Sequence, residues 1–107
     1  MKASQKWILQ RISALVIAPI IVWFLISLIS LSSKDYSAVI NFFTKPLFLF
    51  LTIILLIVGF FHAKIGLSEI FEDYIHNEKI KNVANLLTLL LSIIIPSITI
   101  ILLLYKF

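Results

Sequence analysis

Three long runs of apolar residues constrain this chain more than any other feature of its sequence. They cover residues 12–31, 47–72 and 83–105, and the first and third contain no charged residue. A helix needs about 20 apolar residues to cross the roughly 30 Å hydrocarbon core of a bilayer, and each run reaches that length. Because lipid offers no hydrogen-bond partner to an open backbone, each run is expected to be helical. The sequence therefore predicts an all-α membrane protein with three transmembrane helices.

Composition supports a single membrane domain of residues 1–107. Hydrophobic residues make up 62% of the chain and charged residues 13%, against about 45–50% and 25% in soluble domains. A chain this short buries too little surface to hide that excess in a core. With no cysteine, it cannot build a disulfide, an iron–sulfur cluster or a thiolate zinc site alone. No basic patch is interleaved with aromatic residues, so we expect no nucleic-acid partner.

The distribution of positive charge predicts the orientation of the helices. Cationic residues before the first run and after the second outnumber those elsewhere outside the runs, at Lys2, Lys6, Arg11, Lys79 and Lys81 against Lys34, Lys45 and Lys106. The positive-inside rule then places the N-terminus on the cytoplasmic or matrix side of an inner membrane. Three crossings place the C-terminus on the opposite side.

His62 lies inside the second apolar run, where an ionisable side chain is costly and is a functional-site candidate by default. A neutral imidazole nitrogen suits iron, so His62 could be an axial ligand of haem. A proton relay and a hydrogen bond to a neighbouring helix are the alternatives. His76 lies near the predicted membrane edge, so a bis-histidine haem would require a second chain. Gly66, one turn after His62, leaves space for a close neighbour on that face.

The acidic and aromatic pair Asp73 and Tyr74 closes the same run. About three helical turns separate His62 from Asp73, which places them on nearly the same face roughly 16 Å apart. A phenol can donate a hydrogen bond to a quinone carbonyl, and a nearby carboxylate can orient it or pass protons. The pair is therefore a candidate quinone site. Tyrosine and acidic residues are also common at the membrane interface without such a function, and spacing alone slightly favours that alternative.

Two basic residues are candidates for contact with an anionic group. Lys64 follows His62 closely, so it points to a different face; it could pair with a haem propionate or snorkel to the membrane surface. Arg11 could donate to a propionate or a lipid head group, or it could simply add to the positive-inside charge. Three helical hydroxyls are expected to hydrogen-bond helix backbone, those of Ser13, Ser68 and Thr88.

The motif H-x3-G-x6-D-Y, formed by His62, Gly66, Asp73 and Tyr74, resembles the second transmembrane helix of the hydrophobic membrane anchor of succinate dehydrogenase. This is the smaller of the two membrane anchors of complex II. The surrounding EDYIH is similar to alphaproteobacterial and mitochondrial members, and the W-x2-Q-R-x-S-A stretch at residues 7–14 is similar to the same family. The S-P-H-x-x-I-Y type of segment typical of the sister anchor is absent from the sequence, which favours assignment to the smaller anchor.

The resemblance implies electron transfer from succinate to ubiquinone in the tricarboxylic acid cycle and respiratory chain. His62 matches the axial ligand of haem b, and the sister anchor would supply the second ligand to the haem iron. Tyr74 matches the tyrosine that hydrogen-bonds ubiquinone, Asp73 matches its acidic neighbour, and Arg11 is similar to an arginine near the head-group region. The implied partners are a flavoprotein subunit, an iron–sulfur subunit, a cytochrome b556-type sister anchor subunit and membrane lipid.

The same residues are also compatible with two other functions. The first is a small helical membrane scaffold or assembly protein without a redox role, in which His62 and Tyr74 only pack. The second is a transport module that uses His62 and Lys64 as a proton or ion relay. Transporters usually carry internal repeats or paired broken helices, and the sequence shows neither.

Overall fold

The computed structural model describes residues 2–107, which form four α-helices. The long helices are α1 (Ala3–Leu31), α3 (Pro46–Tyr74) and α4 (Glu78–Lys106), and the short helix α2 (Tyr36–Thr44) lies in the first connection. Each long helix has 29 residues, about 43 Å at 1.5 Å per residue. All three are long and apolar enough to cross a membrane. The described residues include no strand, and the predicted all-α fold with three apolar spans is confirmed.

The long helices extend beyond the apolar runs from which they were predicted. α1 begins at Ala3 instead of residue 12, and α4 begins at Glu78 instead of residue 83. The start of α4 is fixed by Asn77, whose side-chain oxygen accepts hydrogen bonds from the next helical backbone N–H groups, at 3.0 and 3.2 Å. Apolar runs mark only the part of a helix that lies in hydrocarbon. Capping residues such as Asn77 determine where the helix begins.

The short helix α2 was not predicted. Its N-terminus is capped by Asp35, whose carboxylate accepts hydrogen bonds from the Ser37 hydroxyl at 2.7 Å and the Ala38 backbone N–H at 3.2 Å. These two donors, the hydroxyl first, lower the pKa of Asp35 below its usual value, because they stabilise the ionised form. A capping aspartate before an apolar segment is a helix-start signal that the sequence contained.

An aromatic cluster joins α2 to its neighbours. The ring of Phe42 on α2 lies 5.6 Å from that of Trp23 on α1 and 4.9 Å from that of Phe48 on α3, measured between centroids. Aromatic pairs at such distances are stabilising beyond the area they bury. The cluster therefore holds the first connection against the bundle.

α3 is the central helix, since it packs against α1, α2 and α4. Ile65 on this helix is the most buried large apolar side chain, with 2% of its surface exposed. Many other large apolar side chains on the three long helices are exposed. A surface of this kind needs lipid or another protein against it.

The two ends of the bundle differ in chemistry. At one end, which we call the Asp73 end, the start of α1, the end of α3 and the start of α4 meet. There the ammonium of Lys81 on α4 lies 3.4 Å from a carboxylate oxygen of Glu72 on α3 and 3.3 Å from one of Glu78. Lys81 is buried, and its ion pair with Glu72 links α4 to α3.

Candidate functional site

α1 and α3 meet along a line of polar contacts that runs from the middle of the bundle to the Asp73 end. The hydroxyl of Ser13 lies 2.8 Å from Nδ1 of His62. Closer to the Asp73 end, the amide of Gln10 lies against Gly66, and the ammonium of Lys6 then donates to the Ser68 hydroxyl at 3.4 Å. Along this line the residue numbers decrease on α1 and increase on α3, as expected for two antiparallel helices.

His62 is held at this line by one of its two ring nitrogens. The ring is half-buried, and its Ser13 partner is buried, with 4% of its surface exposed. The predicted alternative, a histidine hydrogen-bonded to a neighbouring helix, is confirmed as a contact. That contact uses only Nδ1, so it leaves ligand chemistry at Nε2 open.

A groove of about 390 Å³ begins at His62. Apart from the imidazole its walls are apolar, made by Ile17, Ile21, Leu55, Leu56, Gly59, Phe60 and Ala63. Within residues 2–107, a Cβ added to Gly59 would meet no atom within 4 Å, so one wall is open. The groove thus offers an open apolar surface next to a single imidazole.

The second ring nitrogen of His62, Nε2, takes no part in the contact with Ser13. Within residues 2–107 it makes no hydrogen bond, and the one buried side-chain polar atom without a partner there is Oε1 of Gln10. In the same residues, no three His, Cys, Asp or Glu side chains lie close enough to hold a metal ion together. Within residues 2–107, His62 is therefore the one nitrogen ligand among the residues that line this groove, which fits an iron whose other ligands come from elsewhere.

The close approach predicted at Gly66 is confirmed. A Cβ added there would lie 3.0 Å from Nε2 of Gln10, a distance that a real side chain rarely tolerates. The Gln10 amide thus occupies the space that the glycine leaves free. The packing of Gln10 against Gly66 was not predicted from the sequence. The one signal for Gln10 there was its place in the W-x2-Q-R-x-S-A stretch.

The Gly66 contact can be tested with a matched pair of variants. We expect Gly66→Val to destabilise the chain by about 1–3 kcal/mol, the usual cost of overpacking, because the added side chain must displace Gln10. Gly59→Ala is the control, since its methyl group meets open space and alanine favours a helix over glycine by about 0.5–1 kcal/mol. Thermal unfolding of the chain in detergent, followed by circular dichroism, measures both. Equal midpoints for the two variants would contradict the close contact.

Asp73 lines a second cavity, of about 350 Å³, at the Asp73 end of the bundle. Its other walls come from the start of α1 and the last turns of α3, at Ala3, Lys6, Glu69 and Glu72. Three carboxylates and one ammonium therefore face a common space. Such groups can exchange protons with a bound molecule or with water.

Tyr74 lies apart from this cavity. It is the last residue of α3, 78% of its surface is exposed, and the described lining residues do not include it. The structure therefore leaves Asp73 and Tyr74 adjacent along the chain but facing different surroundings.

Arg11 and Lys64 also lie outside the groove that begins at His62. The guanidinium carbon of Arg11 lies 5.3 Å from the centroid of the Trp7 ring, a cation–π distance, and both residues are exposed. Lys64 is half-buried on α3. Contacts of either residue with an anionic group stay predictions.

Comparison with known proteins adds a family match over nearly the whole chain. Residues 2–103 match the succinate dehydrogenase/fumarate reductase transmembrane subunit family. A succinate dehydrogenase hydrophobic membrane anchor subunit from Rickettsia bellii (strain RML369-C) is 30% identical over 91 residues, which cover 85% of this chain and 73% of that protein. A succinate dehydrogenase membrane anchor subunit from Reclinomonas americana is 33% identical over 87 residues, which cover 76% of this chain and 70% of that protein.

A longer alignment joins this chain to the corresponding protein of another Rickettsia species. The succinate dehydrogenase hydrophobic membrane anchor subunit of Rickettsia conorii (strain ATCC VR-613 / Malish 7) is 25% identical over 104 residues, which cover 96% of this chain and 82% of that protein. No solved structure matches the chain.

Proposed function

The chain belongs to the succinate dehydrogenase/fumarate reductase transmembrane subunit family, and from that premise we propose that it anchors a succinate:ubiquinone oxidoreductase in the membrane. Its three apolar helices and its anchor-subunit relatives make it a multi-pass inner-membrane protein. The observation that carries the proposal is the imidazole of His62, which contacts α1 through Nδ1 alone and lies in the wall of an apolar groove between α1 and α3.

In the proposed complex, His62 would hold the iron of a haem b. The groove fits such a group, because its walls are apolar and open beside Gly59 while the imidazole supplies one nitrogen. Bound haem would supply one-electron redox chemistry at this depth of the membrane. A second ligand would come from the sister anchor subunit, since His76 lies in the connection between α3 and α4.

The two basic residues would neutralise the haem propionates. Arg11 lies two residues from Ser13 on α1, and Lys64 lies two residues from His62 on α3. Each therefore points to a different face of its helix from that residue and would meet a propionate only at the edge of the haem. A guanidinium or ammonium forms strong charge-assisted hydrogen bonds to a carboxylate. Arg11 now stacks on Trp7, and a propionate could approach the outer side of that stack.

The proposed quinone site lies at the Asp73 end. Reduction of ubiquinone to ubiquinol takes two electrons and two protons. The exposed Tyr74 hydroxyl would donate a hydrogen bond to one quinone carbonyl oxygen, which polarises that carbonyl. Asp73, beside the Lys6, Glu69 and Glu72 side chains, would pass protons from water to the reduced oxygen.

The electrons must reach this end from partner proteins, because the chain contains no cysteine to hold an iron–sulfur cluster. We propose that the flavoprotein oxidises succinate and that the iron–sulfur protein binds at the Asp73 end and delivers the electrons. The N-terminus and this end would then face the cytoplasm or matrix, as the excess of basic residues indicates. The exposed apolar faces of the helices would pack on the sister anchor and on lipid.

Purification through an affinity tag on this chain tests the proposal. We expect a flavoprotein, an iron–sulfur protein and a second small membrane protein to co-purify, and the preparation to reduce ubiquinone at the expense of succinate. A scaffold or assembly protein would also place His62 against Ser13 but would bring no such activity. Recovery of the chain without a flavoprotein would contradict the proposal.

A further inference from the structure

The hydroxyl of Ser13 contacts two atoms at once. These two contacts restrict the positions of the Ser13 hydroxyl proton and of the proton on the His62 ring. Its Oγ lies 3.1 Å from the backbone carbonyl oxygen of Gln10 and 2.8 Å from Nδ1 of His62. A serine hydroxyl has one proton and two lone pairs, whereas a carbonyl oxygen can only accept. The hydroxyl proton is therefore the only proton that can make the contact with Gln10 a hydrogen bond.

If the Ser13 proton is donated to Gln10, the second contact must be donated by His62. A neutral imidazole carries its proton on one of its two nitrogens, and here that nitrogen is Nδ1. The opposite arrangement, with the proton on Nε2, would turn the hydroxyl towards Nδ1 and leave two oxygen lone pairs facing each other at 3.1 Å. Ser13 is buried, so water does not replace the lost hydrogen bond.

We propose that Ser13 is a positioning residue that holds neutral His62 in the Nδ1–H form and so keeps the lone pair of Nε2 free for the haem iron. This inference rests on the proposed function of His62 as a haem ligand. Iron-binding imidazoles commonly donate their other N–H to an oxygen, which fixes the ring and makes it a better ligand. Here the oxygen belongs to α1, so the α1–α3 contact sets the orientation of the ligand on α3.

The neighbouring contacts keep this arrangement in register. Gln10 lies against Gly66 on the side of Ser13 nearest the Asp73 end, and Lys6 reaches Ser68 beyond it. A shift of α1 along α3 would break these contacts together with the Ser13–His62 hydrogen bond. The ring of His62 is thus oriented by the packing of two helices as well as by one hydroxyl.

The test compares Ser13→Ala with Ser13→Thr in the purified complex. Ser13→Ala should weaken haem retention about 10–100-fold, the usual effect of losing an outer partner of a metal-bound histidine, and should shift the electron paramagnetic resonance g values of the haem. Ser13→Thr keeps the hydroxyl and should restore both. Ser27→Ala is the control, because its hydroxyl bonds only the backbone carbonyl of Trp23. Wild-type haem affinity and g values in Ser13→Ala would overturn the inference.

A second measurement stands even if Ser13→Ala fails to assemble. Nitrogen-15 nuclear magnetic resonance of the full chain in bilayers, carrying His76→Gln so that His62 is its one histidine, reports which ring nitrogen is protonated. The inference requires protonated Nδ1 and bare Nε2, and protonated Nε2 would overturn it. Failure of the proposed function is distinct: the haem spectrum would then survive His62→Leu, whichever nitrogen carries the proton.

Discussion

Replacement of His62 by leucine is expected to abolish the low-spin haem b spectrum of the complex. The variant removes the nitrogen that we propose as a ligand of the haem iron beside the apolar groove. Loss of a residue that only hydrogen-bonds a metal-bound histidine weakens metal binding about 10–100-fold. Loss of the ligand itself should therefore reduce haem retention by more than that. Leucine is close to histidine in size, and Ser13 loses its contact with His62 but keeps its hydrogen bond to the Gln10 carbonyl, so it is not left without any partner. Absorbance and electron paramagnetic resonance spectra of the purified complex measure the effect.

The second histidine of the chain supplies the control for this variant. His76 lies exposed in the connection between α3 and α4, so His76→Gln should leave the haem spectrum unchanged. An unchanged low-spin spectrum in His62→Leu would show that both axial ligands come from other proteins of the complex. Loss of the spectrum in both variants would point to failed assembly instead of lost ligation.

Tyr74→Phe is expected to lower succinate-dependent ubiquinone reduction about 10–100-fold. The change removes one hydroxyl, and a hydrogen bond to a group that becomes charged is worth about 1.5–3 kcal/mol. Because 78% of Tyr74 is exposed, the packing of this chain should not change. Oxidation of succinate by an artificial electron acceptor should keep its wild-type rate, since we assign that reaction to the flavoprotein.

Tyr105→Phe is the matched control for the quinone prediction. Tyr105 is a tyrosine with 90% of its surface exposed, and it lies near the end of α4, at the opposite end of the bundle from Asp73. Its hydroxyl should not affect either activity. Equal loss of quinone reduction and artificial-acceptor activity in Tyr74→Phe would exclude a specific role of the hydroxyl, and full quinone reduction would place the site elsewhere.

Hydropathy was sufficient to predict the fold class but not the helix ends. The three apolar runs identified the three long helices, because the bilayer selects for continuous apolar length. Hydropathy could not show that α1 begins at Ala3, since a helix can continue past its charged residues into the head-group region. It also did not show α2, which depends on the cap at Asp35 and on aromatic packing between residues distant in sequence, namely Trp23, Phe42 and Phe48.

In the candidate site, contacts within one helix could be predicted from the sequence, whereas contacts between α1 and α3 could not. Gly66 was predicted to admit a close neighbour, and it does, but the identity of that neighbour, Gln10, depends on how α1 and α3 align. Ser13 was predicted to bond helix backbone, and its contact with Gln10 confirms this. The second contact, with His62, could not be predicted from spacing within one helix. Thr88 bonds the carbonyl of Ala84, as predicted.

The most direct test of the account is a reduced-minus-oxidised absorbance spectrum of the complex purified through this chain, with succinate as the reductant. We predict a b-type haem signal that appears on addition of succinate, together with ubiquinone reduction. Succinate–ubiquinone activity without any haem signal would retain the anchor function and contradict the proposed role of His62. A preparation with neither the signal nor the activity would contradict the account as a whole.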